Sequence, residues 1–422
     1  MEFKITNREG RSFAKLSGDN NSIHLDDIIG YNSLFGEKIC HGCLVMLKFF
    51  DLINLNKLIK NKEKYLIKII FLKHFSYEKN IKILKKKNYF FFYQSKILIA
   101  ELKINYHNKF TKFNLVKKQS FKIDIKKNKR NNNIENLSLL LRKLSMFVGT
   151  IFPGEDSIIR DVSINYNKNF YFSEKKIDIF SKKLDRRYPI INNKIVHKNY
   201  NIEFQTLIRP SFNFKRVKIN KKIKNITNNI KDKILIIGAG SGMGRELLDI
   251  YKLNSKLKII ATYYKNKILI KNKNIKIIKL DIEKSIKKVK KIINNFNNIT
   301  VYYFATPKIN LDIKDNESLN QYKRFYIKYP LEILSSFKGQ NIKFFYPSTV
   351  YVNKIKSTYA EIKKNAELKL RRINKKNITI NLLRIDEVNT KQNISLSNKN
   401  LPTFTQLVNK NKQYQNKIFF IK

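Results

Sequence analysis

The hydrophobic pattern first predicts sheet-forming segments. From about residue 65, aromatic and β-branched residues crowd the segments YLIKIIFLKHF and NYFFFYQSKILIAELKINYH, which is typical of curved antiparallel strands. A polar, basic stretch over 108–133 predicts a connection. An apolar helix over 138–149 and a turn at Pro153 follow, and then SIIRDVSINY, KKIDIFSKKL and YNIEFQTLIR predict further strands. Since another helix opens near residue 41, the order of helix followed by sheet occurs twice.

The pattern changes after residue 212. Residues 213–231 are almost wholly polar and predict a linker. From 232 to 422, short apolar strands alternate with helices, beginning with ILIIGAG and ending with ITINLLRI and the residues after it. Alternation of this kind predicts a doubly wound parallel α/β sheet.

Composition narrows the function classes. The 422 residues are 42% hydrophobic, which excludes a chain that is disordered throughout. No run of about 18 apolar residues occurs, so the sequence predicts no membrane span. The net charge of +55 is typical of nucleic-acid binding. However, the charge is spread along the chain, and Lys is enriched together with the other residues encoded by A/T-rich codons, so nucleic acid is not the favoured partner.

The N-terminus and the cysteines bear on the compartment. The segment MEFKITNREG has no apolar core after its charges, so it predicts neither a secretory signal nor a transit peptide. Cys40 and Cys43 are the only cysteines, too few for a disulfide framework, which agrees with a reducing environment. The sequence therefore predicts a cytoplasmic protein.

The segment FAKLSGDNNSIHLDD carries the first candidate chemistry. It places Asp19 and His24 five residues apart among turn formers, and a helix opens later at His41 and Gly42. A carboxylate and an imidazole can hold one water between them, as general acid–base catalysis requires. The N–H groups of a helix N-terminus suit a developing oxyanion. These residues equally suit a capped turn without catalytic function, and spacing alone leaves both interpretations open.

FAKLSGDNNSIHLDD and FGEKICHGCL together resemble the MaoC-like (R)-specific enoyl-CoA hydratases, which have the hot-dog fold. The resemblance implies that Asp19 and His24 activate the water added to, or removed from, a 2-enoyl thioester. It also implies that Asn21 orients this pair and that the backbone N–H of Gly42 holds the thioester oxygen. Ser22 stands where the family usually has proline.

Cys40 and Cys43 have the C-x-x-C spacing of redox and zinc sites. No further cysteine is present to complete a Cys₄ or Cys₃His site, and the stretch falls on the I-x-H-G-x-L pattern of the hydratase family. The sequence therefore predicts no metal site.

The hydratase resemblance implies an α+β double hot dog for the first half of the chain. Residues 1–118 are predicted to form a hydratase domain, and 134–212 a second hot-dog-like half that lacks an Asp-Asn-His segment. Such a pair buries the sheet edge that single hot dogs bury by dimerising. The second half is then scaffold and acyl-tunnel lining, and a homodimer of the whole chain is compatible with this arrangement.

The segment ILIIGAGSGMGREL carries the second candidate chemistry. An apolar strand is followed by Gly238, Gly242 and Gly244 at G-x-x-x-G-x-G spacing and then by a helix. Such glycines let the backbone approach a pyrophosphate at the helix N-terminus. Farther on, Tyr359 and Lys363 lie one turn apart on a predicted helix, so the ammonium can lower the pKa of the phenol.

With Ser348 at the end of an upstream strand, these features resemble the short-chain dehydrogenase/reductase family over 232–422, which implies a Rossmann-type sheet. The resemblance implies that Tyr359 is the acid or base for a carbonyl/alcohol pair and that Ser348 holds the substrate oxygen. Lys363 is implied to lower the tyrosine pKa and to bind the nicotinamide ribose. The implied cofactor-binding residues are Gly238, Gly242, Met243, Gly244, Arg245, Asp281 and Ala305.

Several positions of this segment depart from the family's pattern. Its Asn-Ala-Gly after the fourth strand reads FATP over 304–307, and the asparagine usually found in the next helix is Tyr326. The second strand ends without an acid for a ribose 2′-hydroxyl, whereas Arg245 and Lys265 lie near the expected place of a 2′-phosphate. NADP(H) is therefore favoured as the cofactor over NAD(H).

The two resemblances together imply a bifunctional acyl-thioester enzyme. A hydratase would interconvert 2-enoyl and 3-hydroxyacyl thioesters, and a reductase 3-hydroxyacyl and 3-oxoacyl thioesters, with CoA or an acyl carrier protein as the carrier. Three alternatives stay open. They are a hydratase with a regulatory or inactive nucleotide-binding domain, a reductase of a non-acyl, sugar-type substrate, and a basic nucleic-acid-binding protein on a degenerate enzyme scaffold.

Overall fold

In a computed structural model, the described residues are 1–55, 64–106, 119–124, 133–167, 176–183, 189–197, 200–209, 217–309, 316–337, 339–391, 393 and 400–421. They form two compact units, one within residues 1–211 and the other from 217 onward. The domain ends predicted at 118 and 212 lie outside the described residues. Within the described ranges, every helix is too short or too polar to cross a membrane.

The described part of the N-terminal unit contains one antiparallel sheet of ten strands. The strands are β1 (Glu2–Phe3), β2 (Lys64–Phe71), β3 (Ile81–Lys86), β4 (Tyr89–Gln94), β5 (Ile97–Tyr106), β6 (Gln119–Asp124), β7 (Ser157–Asn167), β8 (Lys176–Lys183), β9 (Ile190–Val196) and β10 (Tyr200–Ile208). Their spatial order is β1-β3-β4-β5-β2-β7-β10-β9-β8-β6. The aromatic and β-branched segments identified in the sequence thus form strands, as predicted.

The strand order repeats about the centre of the sheet, where β2 pairs with β7. Reading outward from that centre, the strands are β2-β5-β4-β3-β1 on one side and β7-β10-β9-β8-β6 on the other. Short helices α1 (Asn7–Ser17), α2 (Ser22–Leu25) and α3 (Asp27–Asn32) precede α4 (Gly42–Leu52), the long helix of the first half. Helix α5 (Asn133–Met146), which ends in a π-helical turn over Phe147–Ile151, holds the same sequence position in the second half. The predicted repeat of helix and sheet is confirmed.

Helix α4 is positioned by aromatic packing on the sheet. The ring of Phe49 lies edge-on against Phe90 and Phe92 of β4, with centroids 4.9 and 5.0 Å apart. In the second half, Leu140 and Leu144 of α5 are buried in the same core. Burial of these faces fixes both helices on one side of a sheet that alternates buried and exposed residues.

The prediction of a connection over 108–133 is wrong for part of that stretch. Residues Gln119–Asp124 form β6, which pairs antiparallel with β8. Ile123 is buried in the core, and Phe121 packs against it. Two apolar residues at alternate positions were enough to make an edge strand, even though their neighbours are polar.

The C-terminal unit contains a parallel sheet of six strands within the residues that the structure describes. These are β11 (Lys233–Ile237), β12 (Ile259–Tyr263), β13 (Ile275–Lys279), β14 (Asn298–Tyr303), β15 (Asn341–Thr349) and β16 (Ile378–Ile385). Their order is β13-β12-β11-β14-β15-β16, which is the dinucleotide-binding order of a Rossmann-type sheet. The predicted doubly wound parallel α/β architecture is confirmed.

The described part of this unit also contains several helices. They are α6 (Lys221–Asn228), α7 (Gly242–Tyr251), α8 (Ile282–Asn294), α9 (Asn316–Lys323), α10 (Tyr329–Ser335), α11 (Tyr351–Lys354), α12 (Thr358–Arg371), α13 (Phe404–Lys410) and α14 (Lys412–Phe419). A π-helical turn over Arg324–Lys328 joins α9 to α10. The helix predicted from Tyr359 is α12.

The prediction of a linker over 213–231 is wrong for its described part. Residues Lys221–Asn228 form α6, which Asn220 caps by accepting a hydrogen bond from the Ile223 N–H. Ile223 is fully buried in the core of the C-terminal unit, and Ile219, Ile226 and Ile230 pack against that core. Isoleucines spaced by three or four residues form the apolar face of a helix, which the surrounding lysines and asparagines concealed.

Candidate active sites

Asp19 is buried between the two halves of the N-terminal unit, with 2% of its surface exposed. Its Oδ2 accepts a hydrogen bond from Ser145 Oγ of α5 at 2.6 Å, and its Oδ1 accepts one from the Asn21 N–H at 3.2 Å. A Cβ added to Gly149, in the π-helical turn, would lie 2.0 Å from Oδ1. The second half therefore both binds this carboxylate and leaves it room.

Asn21 fixes the turn between Asp19 and α2. Its side-chain oxygen accepts a hydrogen bond from the Ile23 N–H at 3.2 Å, which caps α2, and its Nδ2 donates to the Ser157 carbonyl at 3.3 Å. The side chain thus orients the helix that carries His24, whereas the contact with Asp19 is made by the Asn21 backbone.

His24 presents one nitrogen as a base. Its Nδ1 lies 2.8 Å from the Ile39 carbonyl oxygen, which can only accept, so Nδ1 carries a proton and Nε2 of the neutral ring has the lone pair. Burial lowers the pKa of His24 more than the neighbouring Asp19 raises it. The ring is therefore neutral at neutral pH.

His41, absent from the predicted catalytic set, lies in the same site. Its ring stacks on that of His24, with centroids 3.9 Å apart and an interplanar angle of 28°. His41 Nε2 lies 3.3 Å from the Asp19 backbone oxygen and 3.9 Å from Asp19 Oδ2. Burial and the charge of His24 hold the pKa of His41 well below its ordinary value.

Asp19, His24 and His41 each offer one ligand atom, and these atoms lie within 4.8 Å of one another. Stacked rings carry their in-plane lone pairs side by side, whereas a tetrahedral metal needs lone pairs that converge. The arrangement fits proton transfer better than metal ligation.

A cavity of about 330 Å³ opens beside this group. Asp19, His24 and Gly42 line it, and so do several apolar side chains, among them Leu34, Phe71 and Phe75. Gly42 is the first residue of α4, where N–H groups have no partner within the helix. The cavity has the size and mostly apolar walls of a small-ligand site.

The glycine loop of the C-terminal unit lies where the strand order of the sheet reverses. Gly238 follows β11 with φ of +89°, and a Cβ there would lie 2.8 Å from the carbonyl carbon of Phe304 and 2.9 Å from the Ala305 nitrogen. Helix α7 begins in this loop at Gly242, and a Cβ on Gly244 would lie 2.4 Å from the Gly238 oxygen. The loops after β11 and β14 thus meet at the crevice where such sheets bind nucleotides.

Three other predicted cofactor residues already have protein partners. Met243 packs against the core of the unit. The Arg245 guanidinium lies 3.5 Å from the Asp249 carboxylate one turn along α7. Asp281 follows β13 and caps α8, accepting a hydrogen bond from the Glu283 N–H at 3.1 Å.

Ser348 donates its hydrogen bond to an ion pair in which the carboxylate is buried and the arginine is partly exposed. Its hydroxyl donates to Glu367, which Arg384 holds with two further hydrogen bonds of 3.0 and 2.7 Å. Burial raises the pKa of Glu367, but the hydrogen bonds from Arg384 and Ser348 lower it by a larger amount. The pKa of Glu367 therefore lies below its ordinary value. The Ser348 proton therefore points to a carboxylate of the protein.

Lys363 is enclosed by tyrosines, with 5% of its surface exposed. Its Nζ donates to the Pro347 carbonyl at 2.7 Å and lies 4.2 and 4.5 Å from the ring centres of Tyr326 and Tyr346. Burial lowers the pKa of Lys363 to about 7.

Tyr359 is buried against two other tyrosines rather than against Lys363. Its ring meets those of Tyr322 and Tyr326 edge-on, at centroid distances of 6.2 and 5.6 Å. Burial raises the pKa of Tyr359, so the expectation that Lys363 lowers it is wrong. The ammonium is instead directed to Pro347 and the two aromatic faces.

Sequence reasoning missed four of the residues that form these sites. Ser145 and Gly149 lie in the second half, and Ser145 is 126 residues from Asp19, so no local pattern could connect them. Glu367 lies one turn after Lys363 on α12, a spacing that offered a signal. His41 lies between Cys40 and Gly42, inside the segment that has C-x-x-C spacing.

No protein-family model matches this chain, and no curated protein matches its sequence. Solved structures similar to it include a short-chain dehydrogenase from Salmonella enterica serovar Typhi, with 12% identity and a TM-score of 0.37, covering 48% of this chain and 93% of that one. A short-chain dehydrogenase from Leptospira borgpetersenii with bound NAD⁺ has 16% identity and a TM-score of 0.36, covering 50% and 91%. A third, from Burkholderia cenocepacia in complex with NADP, has 12% identity and a TM-score of 0.32, covering 38% and 75%. These low scores add nothing to the fold, which is read from this chain's own strand order.

Proposed function

We propose that the N-terminal unit hydrates 2-enoyl thioesters and dehydrates 3-hydroxyacyl thioesters. The observation that carries the proposal is the meeting of Asp19, His24 and Gly42 on one largely apolar cavity. It supplies a carboxylate, a neutral imidazole and the N–H groups of a helix start, the three groups that addition of water to a conjugated thioester requires.

The proposed reaction conserves protons at the site. The water oxygen bonds to C3 of the enoyl thioester while one water proton passes to His24 Nε2. The C2=C3 π electrons move to a thioester enolate, whose oxygen is held at the Gly42 N–H. Asp19 accepts the other hydrogen of the water as a hydrogen bond and orients it. The enolate then collapses, and His24 returns its proton to C2. Dehydration is the same sequence reversed.

The repeated strand order supports a double hot dog as the framework of this site. In this proposal the second half is more than scaffold, because it supplies Ser145, which binds Asp19, and Gly149, which makes room for it. The substrate carrier is CoA or an acyl carrier protein, and the chain acts in the cytoplasm.

For the C-terminal unit we propose a nucleotide-linked oxidoreductase that interconverts 3-oxoacyl and 3-hydroxyacyl thioesters. The glycine loop at the reversal of strand order supports dinucleotide binding. The cofactor is NADP(H), with NAD(H) as the second choice. Tyr359 remains the residue proposed to exchange a proton with substrate. Ser348 remains the residue proposed to hold the substrate oxygen, and Lys363 the residue proposed to bind the nicotinamide ribose.

A second candidate function is nucleotide binding without turnover in that unit. The contacts that favour it are the hydrogen bond from Ser348 to Glu367 and the bond from Lys363 to Pro347. Both polar groups are directed to protein partners. In this case the chain is a hydratase with a regulatory nucleotide domain.

One cuvette tests both units. The full chain is added to crotonyl-CoA, and loss of the conjugated enoyl absorbance is followed; NADP⁺ is then added at mildly alkaline pH. Loss of enoyl absorbance followed by formation of reduced nicotinamide supports the bifunctional enzyme. Loss of enoyl absorbance without reduced nicotinamide, with NAD⁺ as well as with NADP⁺, supports the second candidate. No change with short acyl, long acyl or carrier-protein thioesters would contradict the hydratase proposal.

A further inference from the structure

The imidazole of His41 is built into the hydratase site by three independent features. The first is its orientation. His41 precedes α4 as its N-cap, but its side chain makes no capping hydrogen bond. The side chain is instead fully buried, between the ring of Phe13 at 5.0 Å and the ring of His24 at 3.9 Å.

The second feature is a hydrogen-bond chain that selects one tautomer. The Asp19 carbonyl oxygen, 3.3 Å from His41 Nε2, can only accept, so Nε2 carries the proton. Nδ1 then has the lone pair, and the Tyr77 hydroxyl, 3.5 Å away, donates to it. The chain therefore runs from Tyr77 through His41 to the backbone of Asp19.

The third feature is the space made for Tyr77. A Cβ added to Gly10 would lie 2.3 Å from the Tyr77 hydroxyl oxygen. Gly10 lies inside α1, where glycine is less favourable than alanine. The helix has this glycine at a position where a methyl group would displace the hydroxyl.

We propose that His41, held in its Nε2–H tautomer by the Asp19 carbonyl and hydrogen-bonded at Nδ1 by Tyr77, is a positioning residue for the Asp19–His24 pair. By stacking on His24 it fixes the plane of that ring, and by donating to the Asp19 backbone it fixes the turn that carries the carboxylate. His41 does not touch the substrate in this account. The kinetic part of the inference rests on the proposed hydratase function, whereas the tautomer does not.

Several titratable groups face this chain, and they define what a pH profile reports. His24 and Asp19 face His41 directly, and Tyr77 lies on its other side. Cys40 and Arg11 act on Tyr77, and Arg209 acts on His24. Because His24 and His41 are in contact, a proton on one opposes a proton on the other, and burial disfavours both. Burial, the Asp19 charge, the Ile39 carbonyl and the Arg209 charge set the pKa of His24, so loss of the His41 ring should leave that pKa below its ordinary value.

The tautomer is tested by ¹⁵N spectroscopy of the full chain labelled at histidine. The chain has only five histidines, so His41→Gln identifies the signal. We expect the wild-type His41 signal to be that of a neutral Nε2–H ring, and Tyr77→Phe to shift the Nδ1 resonance, because that nitrogen loses its hydrogen-bond donor. A wild-type Nδ1–H ring, or a signal unmoved in Tyr77→Phe, would overturn the inference.

The positioning role is tested by kinetics on crotonyl-CoA. For Tyr77→Phe and His41→Gln we expect kcat to fall about tenfold or more while KM changes less than about threefold. In His41→Gln the acidic limb of the kcat/KM profile should stay in place, because burial continues to set the pKa of His24. Tyr166→Phe removes another buried tyrosine hydroxyl of the same unit and should leave kcat and the profile unchanged.

The outcomes separate this inference from the hydratase proposal. Unchanged kcat in both variants of an active enzyme would overturn the positioning role, and so would an acidic limb that is displaced in His41→Gln. If His41→Gln does not fold, Tyr77→Phe decides, because it removes one oxygen. If the wild-type chain hydrates no enoyl thioester, the proposed function is contradicted. The hydrogen-bond chain from Tyr77 through His41 to Asp19 is then tested by the ¹⁵N experiment alone.

Discussion

The two candidate sites differ in where their polar atoms point. In the N-terminal unit, His24 uses Nδ1 to bind the Ile39 carbonyl and keeps its Nε2 lone pair for another partner, beside a cavity. In the C-terminal unit, Ser348 and Lys363 direct their protons to Glu367 and Pro347. Motif spacing places side chains on the correct elements, but the neighbours decide which atoms stay available for chemistry.

The contrast extends to the source of the neighbours. Asp19 receives Ser145 and Gly149 from the other half of its unit, and both contacts leave the carboxylate beside the cavity. Lys363 receives the rings of Tyr326 and Tyr346, which enclose it. Long-range packing therefore holds Asp19 beside its cavity, whereas it encloses Lys363 with aromatic rings.

The largest expected effect is on the hydratase. His24→Gln removes the nitrogen that takes the water proton, so we expect kcat/KM for an enoyl thioester to fall by about 10²–10⁴. The measurement is loss of enoyl absorbance. His197→Gln, a stacked histidine of the same unit outside the cavity lining, is the control and should retain activity. Equal losses of kcat/KM in His24→Gln and His197→Gln would contradict a catalytic role specific to His24.

A bulkier residue at Gly149 tests the contribution of the second half. In Gly149→Ala the new methyl would lie 2.0 Å from Asp19 Oδ1, so the carboxylate must move, and a displacement of about 1 Å costs about 10²-fold in rate. We expect kcat to fall by that order. Thr150→Ala, at the exposed neighbouring position, should leave kcat near wild type. Full activity of Gly149→Ala would show that Asp19 does not depend on the space left by Gly149.

Nucleotide binding by the C-terminal unit depends on the fit of its glycine loop. Gly238→Ala places a methyl 2.8 Å from the Phe304 backbone and strains a positive φ, so we expect the Kd for NADP⁺ to rise at least about tenfold in calorimetry. Gly339→Ala has the same strain, with φ of +83° and nothing within 4 Å, and serves as the control. Equal Kd values in all three proteins would contradict a nucleotide site at this loop.

The ion pair that holds Ser348 should stabilise the C-terminal unit. Glu367→Gln leaves Arg384 without its carboxylate, and we expect a loss of about 1–3 kcal/mol in the free energy of unfolding. Denaturant titration measures it. Glu332→Gln removes a more exposed pair with Lys328 and should cost less than about 1 kcal/mol. If Glu367→Gln lowers the free energy of unfolding no more than Glu332→Gln does, the ion pair does not hold Ser348 in place.

The last prediction concerns the pH dependence of stability. Burial holds the pKa values of His24 and His41 below the ordinary 6.5. The unfolded chain therefore binds more protons below pH 6.5, and stability that is complete above that pH is lost as pH falls toward the folded pKa values. We expect up to about 1.4 kcal/mol per pH unit for each histidine, measured by denaturation between pH 7.5 and 5. A flat profile would show that both rings titrate normally.

How far the sequence predicts this molecule depends on the range of the interactions. The parallel sheet followed from local alternation, and the glycine loop from residues next to one another. Strand β6 and helix α6 were missed, because a few apolar residues decide each one and polar neighbours dominate the local composition. Asp19 and His24 were found from one segment, whereas Ser145 reaches them only through the packing of α5.

The most direct test of the central claim is the enoyl absorbance assay on the wild-type chain, Asp19→Asn and Asp51→Asn. Asp51 is an exposed carboxylate on α4, so its variant removes one charge without touching the cavity. The account predicts hydration by the wild type and by Asp51→Asn, and a loss of at least about 10²-fold in Asp19→Asn with an unchanged circular dichroism spectrum. Comparable rates in all three proteins would contradict it.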